Sequence, residues 1–304
     1  MPKLKIGTRG SPLALFQAHE TKRRLMTAHG LAEDEIEITV ITTTGDRVRD
    51  RPLSEIGGKG LFTKEIEEAL FDGSIQLAVH SMKDMPARLP DGLIMAALLP
   101  REDPRDAFLS PVAANIDALA EGATVGSSSV RRAAQLKRLR PDLHVIPFRG
   151  NVETRLRKLA DGVAQATFLA CAGLNRLGLA HKITSIIPVE VMLPAVAQGC
   201  IGIEIREDND AMRELLAPLD HQETATAIAC ERAFLAALDG SCRTPLAGLA
   251  TLVDGQVRFR GQALTLDGAH CFETQRHGAP ADAERMGRGA GEEVKAMGGS
   301  LIAF

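Results

Sequence analysis

The chain has 304 residues, 45% of them hydrophobic and 25% charged, and a formal net charge of −3. That length suits two or three domains of ~100–200 residues each, with the composition of an ordinary globular protein. The acidic balance excludes a globally basic nucleic-acid binder but leaves a local basic cleft open, and with Trp and Tyr absent only ten Phe and eight His could stack on bases. In chain order, residues 3–8 read as a strand, and Ser11-Pro12 opens a helix with Ser as N-cap and Pro at the first helical position. Gly30 supplies the stop after His29. Ile36, Ile38 and Val40 alternate with Glu37 and Thr39, the period of a strand with one polar face. A glycine-rich loop, Gly57-Gly58-Lys59-Gly60, precedes Phe62, Ile66, Ala69 and Leu70 at helical spacing. Residues 75–79 form a short buried strand, followed at once by His80, Ser81, Lys83 and Asp84 before Pro86 ends the regular strand.

The middle third repeats this logic. A strand is expected near 123–126, a helix over 128–139, a strand over 143–148, a helix carrying Val152, Leu156 and Leu159, and a fully buried strand over 166–172. Alternating βα units of this kind predict mostly parallel sheets. Residues 99–104 and 193–199 read as linkers between the halves. The last third changes texture: a helix over 224–238, a loop Asp239-Gly240-Ser241-Cys242, a hairpin turning at Asp254-Gly255, and an amphipathic helix near the end, together a smaller α+β domain.

Polar groups beyond the carboxyl ends of strands are candidates for chemistry in α/β sheets, which singles out 80–84. Three helix starts share an odd feature: Arg9-Gly10-Ser11-Pro12, Gly126-Ser127-Ser128-Ser129-Val130-Arg131-Arg132 and Arg149-Gly150-Asn151-Val152. Each offers free backbone N–H groups to an anion, and each holds Arg where the helix dipole opposes it by ~0.3–1 kcal/mol. The set predicts bound anions, with Arg155 and Arg176 able to join; the alternative is pairing with nearby Glu and Asp. No GxxxxGK[ST] loop is present, so several separate carboxylates on one ligand suit these guanidinium forks better than a nucleotide.

The five cysteines are odd in number, widely spaced and in no CxxC pair, which fits a reducing cytoplasm and argues against disulfides or zinc. Cys242 stands apart, in a small polar loop beside Arg243 that favours thiolate, whereas Cys171, Cys230 and Cys271 read as inert. The histidines show no metal-binding spacing, and His80 reads as a hydrogen-bonded core residue rather than a base. No run of ~18 apolar residues predicts a membrane span, and the N-terminus enters a strand pattern without a secretory segment.

Taken together, these segments resemble the hydroxymethylbilane synthase family, also called porphobilinogen deaminase. The matching stretches are Thr8-Arg9-Gly10-Ser11-Pro12-Leu13-Ala14, Gly57-Gly58-Lys59-Gly60-Leu61-Phe62, Ala78-Val79-His80-Ser81-Met82-Lys83-Asp84, Arg101-Glu102-Asp103-Pro104-Arg105-Asp106, Ser128 to Arg132, Arg149-Gly150-Asn151, Ala172-Gly173-Leu174 with Arg176-Leu177-Gly178, Leu193-Pro194-Ala195-Val196 and the loop ending at Cys242. The resemblance implies a transferase that condenses four porphobilinogen molecules head to tail with loss of ammonia, giving linear hydroxymethylbilane. It implies a dipyrromethane cofactor on a thioether to Cys242. It also implies two similar mostly parallel-sheet α/β domains around a cleft, periplasmic-binding-protein-like, plus a smaller α+β domain: residues 1–99 with 200–217, then 100–199, then 218–304 carrying the cofactor cysteine.

On the same grounds Asp84 is the catalytic carboxylate. Cys242, Lys83, Ser81, Ser127, Ser128, Ser129, Arg131, Arg132 and Asp46 hold the cofactor. Arg9, Ser11, Arg149, Gly150, Arg155, Arg176, Lys59, Phe62 and Gln198 bind substrate. A cytoplasmic monomer without metal, nucleic-acid partner or membrane is expected. Ala197 stands where the family pattern usually has Gly, Cys200 where it has Ala, and Ser241 where a second Gly is frequent; only the first puts a backbone conformation in question. A two-lobed solute-binding protein and a nucleic-acid binder using Arg131 and Arg132 are the rival readings.

Overall fold

The computed structural model describes residues 4–47, 62–239 and 244–302. Its strands are β1 (Leu4–Thr8), β2 (Ile36–Val40), β3 (Leu77–Ser81), β4 (Leu93–Leu98), β5 (Asp106–Leu109), β6 (Thr124–Gly126), β7 (His144–Ile146), β8 (Ala166–Ala170), β9 (Ser185–Ile186), β10 (Ile201–Arg206), β11 (Leu246–Val253), β12 (Gln256–Leu264) and β13 (Cys271–Gly278). The chain divides into two compact units, Met1–Arg101 with Cys200–Ala225, and Glu102–Gly199 with Thr226–Phe304.

The first unit holds a five-stranded sheet in the order β2-β1-β3-β10-β4. β1 runs parallel to β2 and β3, while β10 is antiparallel to both its neighbours. The second unit repeats the plan as β7-β6-β8-β5-β9, with β6 parallel to β7 and β8, and β5 as the reversed strand. This is the mostly parallel α/β architecture that the alternating pattern predicts. β11, β12 and β13 form a separate antiparallel sheet near the C-terminus, against which helix Ala283–Gly298 packs.

Both faces of the first sheet are covered, so strand alternation sorts side chains between two cores. Leu77 and Val79 of β3 join Ile6, Ile203, Ala18 and Leu25 on one face, the last two from helix Pro12–His29. Ala78 packs on the other with Ile66 and Leu70 of helix Lys64–Phe71. In the second unit Phe108, Val125, Phe168 and Leu136 fill one core, and Ala107, Leu109, Phe148, Leu169 and Leu174 the other.

Four local expectations need correcting. The strand expected over 75–79 runs Leu77–Ser81, so His80 and Ser81 belong to it rather than following it. The helix expected from Ser128 starts at Val130 with Ser129 as its cap, because the Ser128 hydroxyl is taken by the Phe148 backbone N–H. The strand expected to 172 ends at Ala170, and Cys171 opens helix Cys171–Arg176. The 143–148 strand is shorter, His144–Ile146. The apolar stretches that became β4, β5 and β10 lay outside the alternating pattern read from the sequence.

Ala197 takes a left-handed φ of 60°, buried, with its N–H donated to Glu231 Oε2 at 2.6 Å. That conformation costs an L-residue roughly 1–2 kcal/mol, against ~0.5–1 kcal/mol of extra chain entropy that Gly would lose on folding. Ala197→Gly is therefore expected to raise stability by about 0.5 kcal/mol, read as an upward shift of the urea midpoint; a downward shift would show the site to be unstrained. Gly199 nearby admits no such exchange, since its φ is 89° and a Cβ would lie 2.4 Å from the Glu102 carbonyl oxygen.

Candidate active site

In the first unit, the carboxyl end of β3 opens into a pocket lined by Arg9, Ser11, Gln17, Phe62, His80, Ser81 and Asp84, among others. The strand passes straight into a 3-10 turn, Met82–Asp84, pinned by the Met82 N–H on the Cys200 carbonyl at 3.0 Å and closed by the Met85 N–H on Met82. Met82 is buried beneath the turn, so Lys83 and Asp84 are held out into solvent. Ser81, on the opposite strand face from His80, exchanges two hydrogen bonds with Gln17 of helix Pro12–His29: Gln17 Nε2 donates to its hydroxyl at 2.8 Å, and the hydroxyl donates to Oε1 at 3.1 Å.

Arg9 is anchored before the Ser11 N-cap, whose hydroxyl accepts from Ala14 N–H at 3.2 Å. Its Nε donates to Asp46 Oδ2 at 3.1 Å, a second guanidinium nitrogen takes Oδ1, and its face lies 4.1 Å from the Phe62 ring centroid. Burial pushes the Asp46 carboxyl up, but the bonds and charge of Arg9 outweigh it and hold the group below its ordinary value. Asp46 is thus a partner of Arg9, which leaves the other edge of that guanidinium for a ligand.

In the second unit, the anion for Arg131 and Arg132 is internal. Asp106, fully buried, lies 2.8 Å from a terminal nitrogen of Arg131 and 2.6 Å from one of Arg132. Arg131 also donates to the Leu193 carbonyl, Arg132 to that of Phe168, and Gln198 Nε2 to Asp106 Oδ1 at 2.9 Å. Burial pushes the Asp106 carboxyl up, yet the two guanidiniums pull it far below the usual carboxylate range. Two cations on one carboxylate leave an excess positive charge in a dry interior, which favours a further anion there.

The remaining assignments divide. Ser127 accepts from the Ser129 N–H at 3.2 Å, and the Ser129 hydroxyl caps Arg132 N–H, so these hydroxyls shape the helix start. Arg155 Nε donates to the Gly150 carbonyl at 2.9 Å, and Arg176 to that of Gly199 at 2.6 Å. One terminal nitrogen of Arg149 is buried without a hydrogen-bond partner among the described residues. Lys59 and Cys242 lie outside the described residues. Sequence reading missed Gln17 and Asp106; a buried Gln on a helix's inner face and an Asp opening an apolar strand were the available signals.

A model of the family described as "Porphobilinogen deaminase, dipyromethane cofactor binding domain" matches residues 4–214, and one described as "Porphobilinogen deaminase, C-terminal domain" matches residues 225–296. The chain is 58% identical over 292 residues to a "Porphobilinogen deaminase" of Paracoccus denitrificans (strain Pd 1222), covering 96% of this chain and 93% of that protein. The chain belongs to the porphobilinogen deaminase family. Among solved structures, the periplasmic VFT2 domain of Bordetella pertussis BvgS is 18% identical with a TM-score of 0.41, covering 71% of this chain and 84% of that one. A putative methionine-binding lipoprotein of Bacillus subtilis is 11% identical with a TM-score of 0.43, covering 71% and 89%.

The residues present fit the dipyrromethane cofactor of porphobilinogen deaminases. Such a group carries several carboxylates and pyrrole N–H donors; within the second unit the orphaned Arg149 nitrogen and the excess charge at Asp106 have the chemistry for the first, and within the first unit the exposed Asp84 carboxylate has the chemistry for the second. Asp106→Asn should leave two buried guanidiniums without their anion and lower the unfolding free energy by ~3–5 kcal/mol at neutral pH. Because the folded-state carboxyl is lowered, its contribution is complete above ~pH 4 and is lost as pH falls further toward the folded value. The wild-type advantage in urea unfolding should therefore shrink below ~pH 4; an equal advantage at every pH would contradict the assignment.

Proposed function

We infer that this deaminating transferase condenses four porphobilinogen molecules head to tail into hydroxymethylbilane, primed by dipyrromethane held as a thioether on Cys242. The observation that carries this reading is the pocket at the end of β3, where the exposed Asp84 carboxylate shares walls with the Arg9 guanidinium and the Phe62 ring. When bound, the cofactor supplies the free pyrrole α-position from which the chain is extended.

The residues of the chain do the rest. At each addition the protonated amino group on the substrate's aminomethyl arm departs as ammonia with the C–N electron pair, and the methylene carbon stays behind in an electron-poor azafulvene with a positive pyrrole nitrogen. Asp84 accepts hydrogen bonds from pyrrole N–H groups and stabilises that positive charge, the kind of fixed electrostatic contribution worth ~2.7–4 kcal/mol per group. Arg9, steadied by Asp46, takes a substrate carboxylate, with Ser11, Phe62 and Lys59 beside it. Arg149, Gly150, Arg155, Arg176 and Gln198 take further substrate carboxylates. Arg131 and Arg132, with Ser81, Lys83, Asp46 and Ser127 to Ser129, hold the cofactor.

We further propose three domains, residues 1–99 with 200–217, 100–199 and 218–304; the separate sheets support this division. A cytoplasmic monomer is proposed on the odd number of cysteines, with no disulfide among the four that are described; no described helix is long and apolar enough to cross a membrane. Protein from cells that make porphobilinogen should weigh more than its sequence by two condensed units, and should release ammonia from porphobilinogen. An unmodified mass together with no ammonia would overturn the reading.

A further inference from the structure

β3 itself carries one ionisable residue, His80, that this chemistry leaves unused. His80 shares the strand face of Ala78, toward helix Lys64–Phe71. There His80 Nε2 lies 2.8 Å from Oε2 of Glu204, which sits on the neighbouring β10 opposite Ala78. Glu204 is 0% exposed, His80 6%, and Glu67 of the helix 8%. Oε1 of Glu204 and Oε1 of Glu67 are buried without hydrogen-bond partners among the described residues. Burial pushes the Glu67 carboxyl up, a polar contact with Thr63 and the charge of His80 pull the other way, and the charge of Glu204 adds to the push, leaving the group above its ordinary value. The other charged groups that bear on the trio are Glu68 on the same helix, and Arg9 and Asp84 across the pocket that His80 helps to line.

Charge counting limits what such a cluster can do. An imidazolium with two ionised carboxylates is a buried net negative charge, which an apolar interior disfavours; one further proton makes the trio neutral. Two charge states, one proton apart, are therefore both within reach beside the pocket.

We propose that His80, Glu67 and Glu204 form a buried proton station that takes up the proton released as each new carbon–carbon bond forms. The inference rests on the condensing activity proposed above. When the azafulvene carbon bonds to the free pyrrole α-carbon, that carbon's C–H bond breaks, its electron pair restores the aromatic ring, and the proton goes to the station. The station passes from net negative to neutral, and returns when the proton leaves with solvent or ammonia. In its negative state it adds to the field of Asp84 on the developing cation; Glu67 and Glu204 touch no substrate and act through His80.

Glu67→Gln mimics the protonated acid and should fold normally, and Glu204→Gln deprives His80 of its anion. At equal cofactor occupancy by intact mass, both should lower kcat by roughly tenfold or more with KM changed less than about twofold, and Glu67→Gln should move the pH profile of kcat by about one unit. The His80 imidazole titration, followed by NMR without any turnover, should move in Glu67→Gln as well. A kcat profile that overlays wild type in Glu67→Gln, or an unmoved His80 titration, overturns the station; if Glu204→Gln fails to fold, Glu67→Gln decides. Wild-type protein that releases no ammonia would instead overturn the activity on which the station depends, a failure that the NMR titration separates.

Discussion

Replacing Cys242 by Ser is expected to remove both the added mass and all measurable turnover. The thiolate is the nucleophile that makes a thioether, and a serine hydroxyl, far less acidic, is not ionised at neutral pH. None of the four described cysteines can stand in. Burial raises the thiols of Cys171 and Cys230 to about 12 and that of Cys271 to about 11, so none offers appreciable thiolate near neutrality. Cys200, just before β10, is buried with 1% of its surface exposed, which closes its thiol to an incoming pyrrole. The comparison is intact mass and peptide mapping of wild type and variant from the same cells. An adduct that maps to Cys171, Cys200, Cys230 or Cys271 sinks the assignment.

Asp84→Asn should fold, keep the two-unit added mass, and turn over at least ~10²-fold more slowly. The exposed turn Met82–Asp84 is held by backbone hydrogen bonds and the buried Met82, none of which involves the Asp84 side chain. Folding is thus indifferent to the exchange. Asn keeps an acceptor oxygen for a pyrrole N–H but loses the charge that opposes the cation, and its amide N–H groups would face other donors. Asp84→Glu keeps the charge and displaces it by one methylene, so it should retain more activity than Asn. Rates at equal cofactor occupancy decide; an Asn variant as fast as wild type would rule out Asp84 as the charge-stabilising group.

Much of this was legible because the signals are local. Ser11-Pro12 and Gly30 bracket helix Pro12–His29, and the apolar residues before His80 foretell β3 and the polar turn after it. What stayed hidden depends on distant pairing. β10 reads as an apolar run interrupted by Glu204, and only its place between β3 and β4 explains both the run and the acid. Arg131 and Arg132 were recognisable as misplaced cations, but the carboxylate that meets them is Asp106, on a strand that neither period nor turn residues set apart. Arg9 shows the same limit, since its partner Asp46 lies beyond a helix and a strand.

The reversed strands also dictate the order in which the polypeptide can mature during synthesis. Beside β3 the first sheet needs β10, which the ribosome delivers only after the whole of Glu102–Gly199 has been made. Until then the nascent first unit presents an open strand edge, and at ~5–20 residues per second that interval lasts on the order of 5–20 s. The second unit, whose reversed strand β5 is made before the strands it joins, has no such wait for its own sheet. Vectorial folding is therefore inverted for these two sheets: the sheet begun second can close first, and the exposed flank of β3 is where chaperone binding or misassociation of the newborn chain would concentrate.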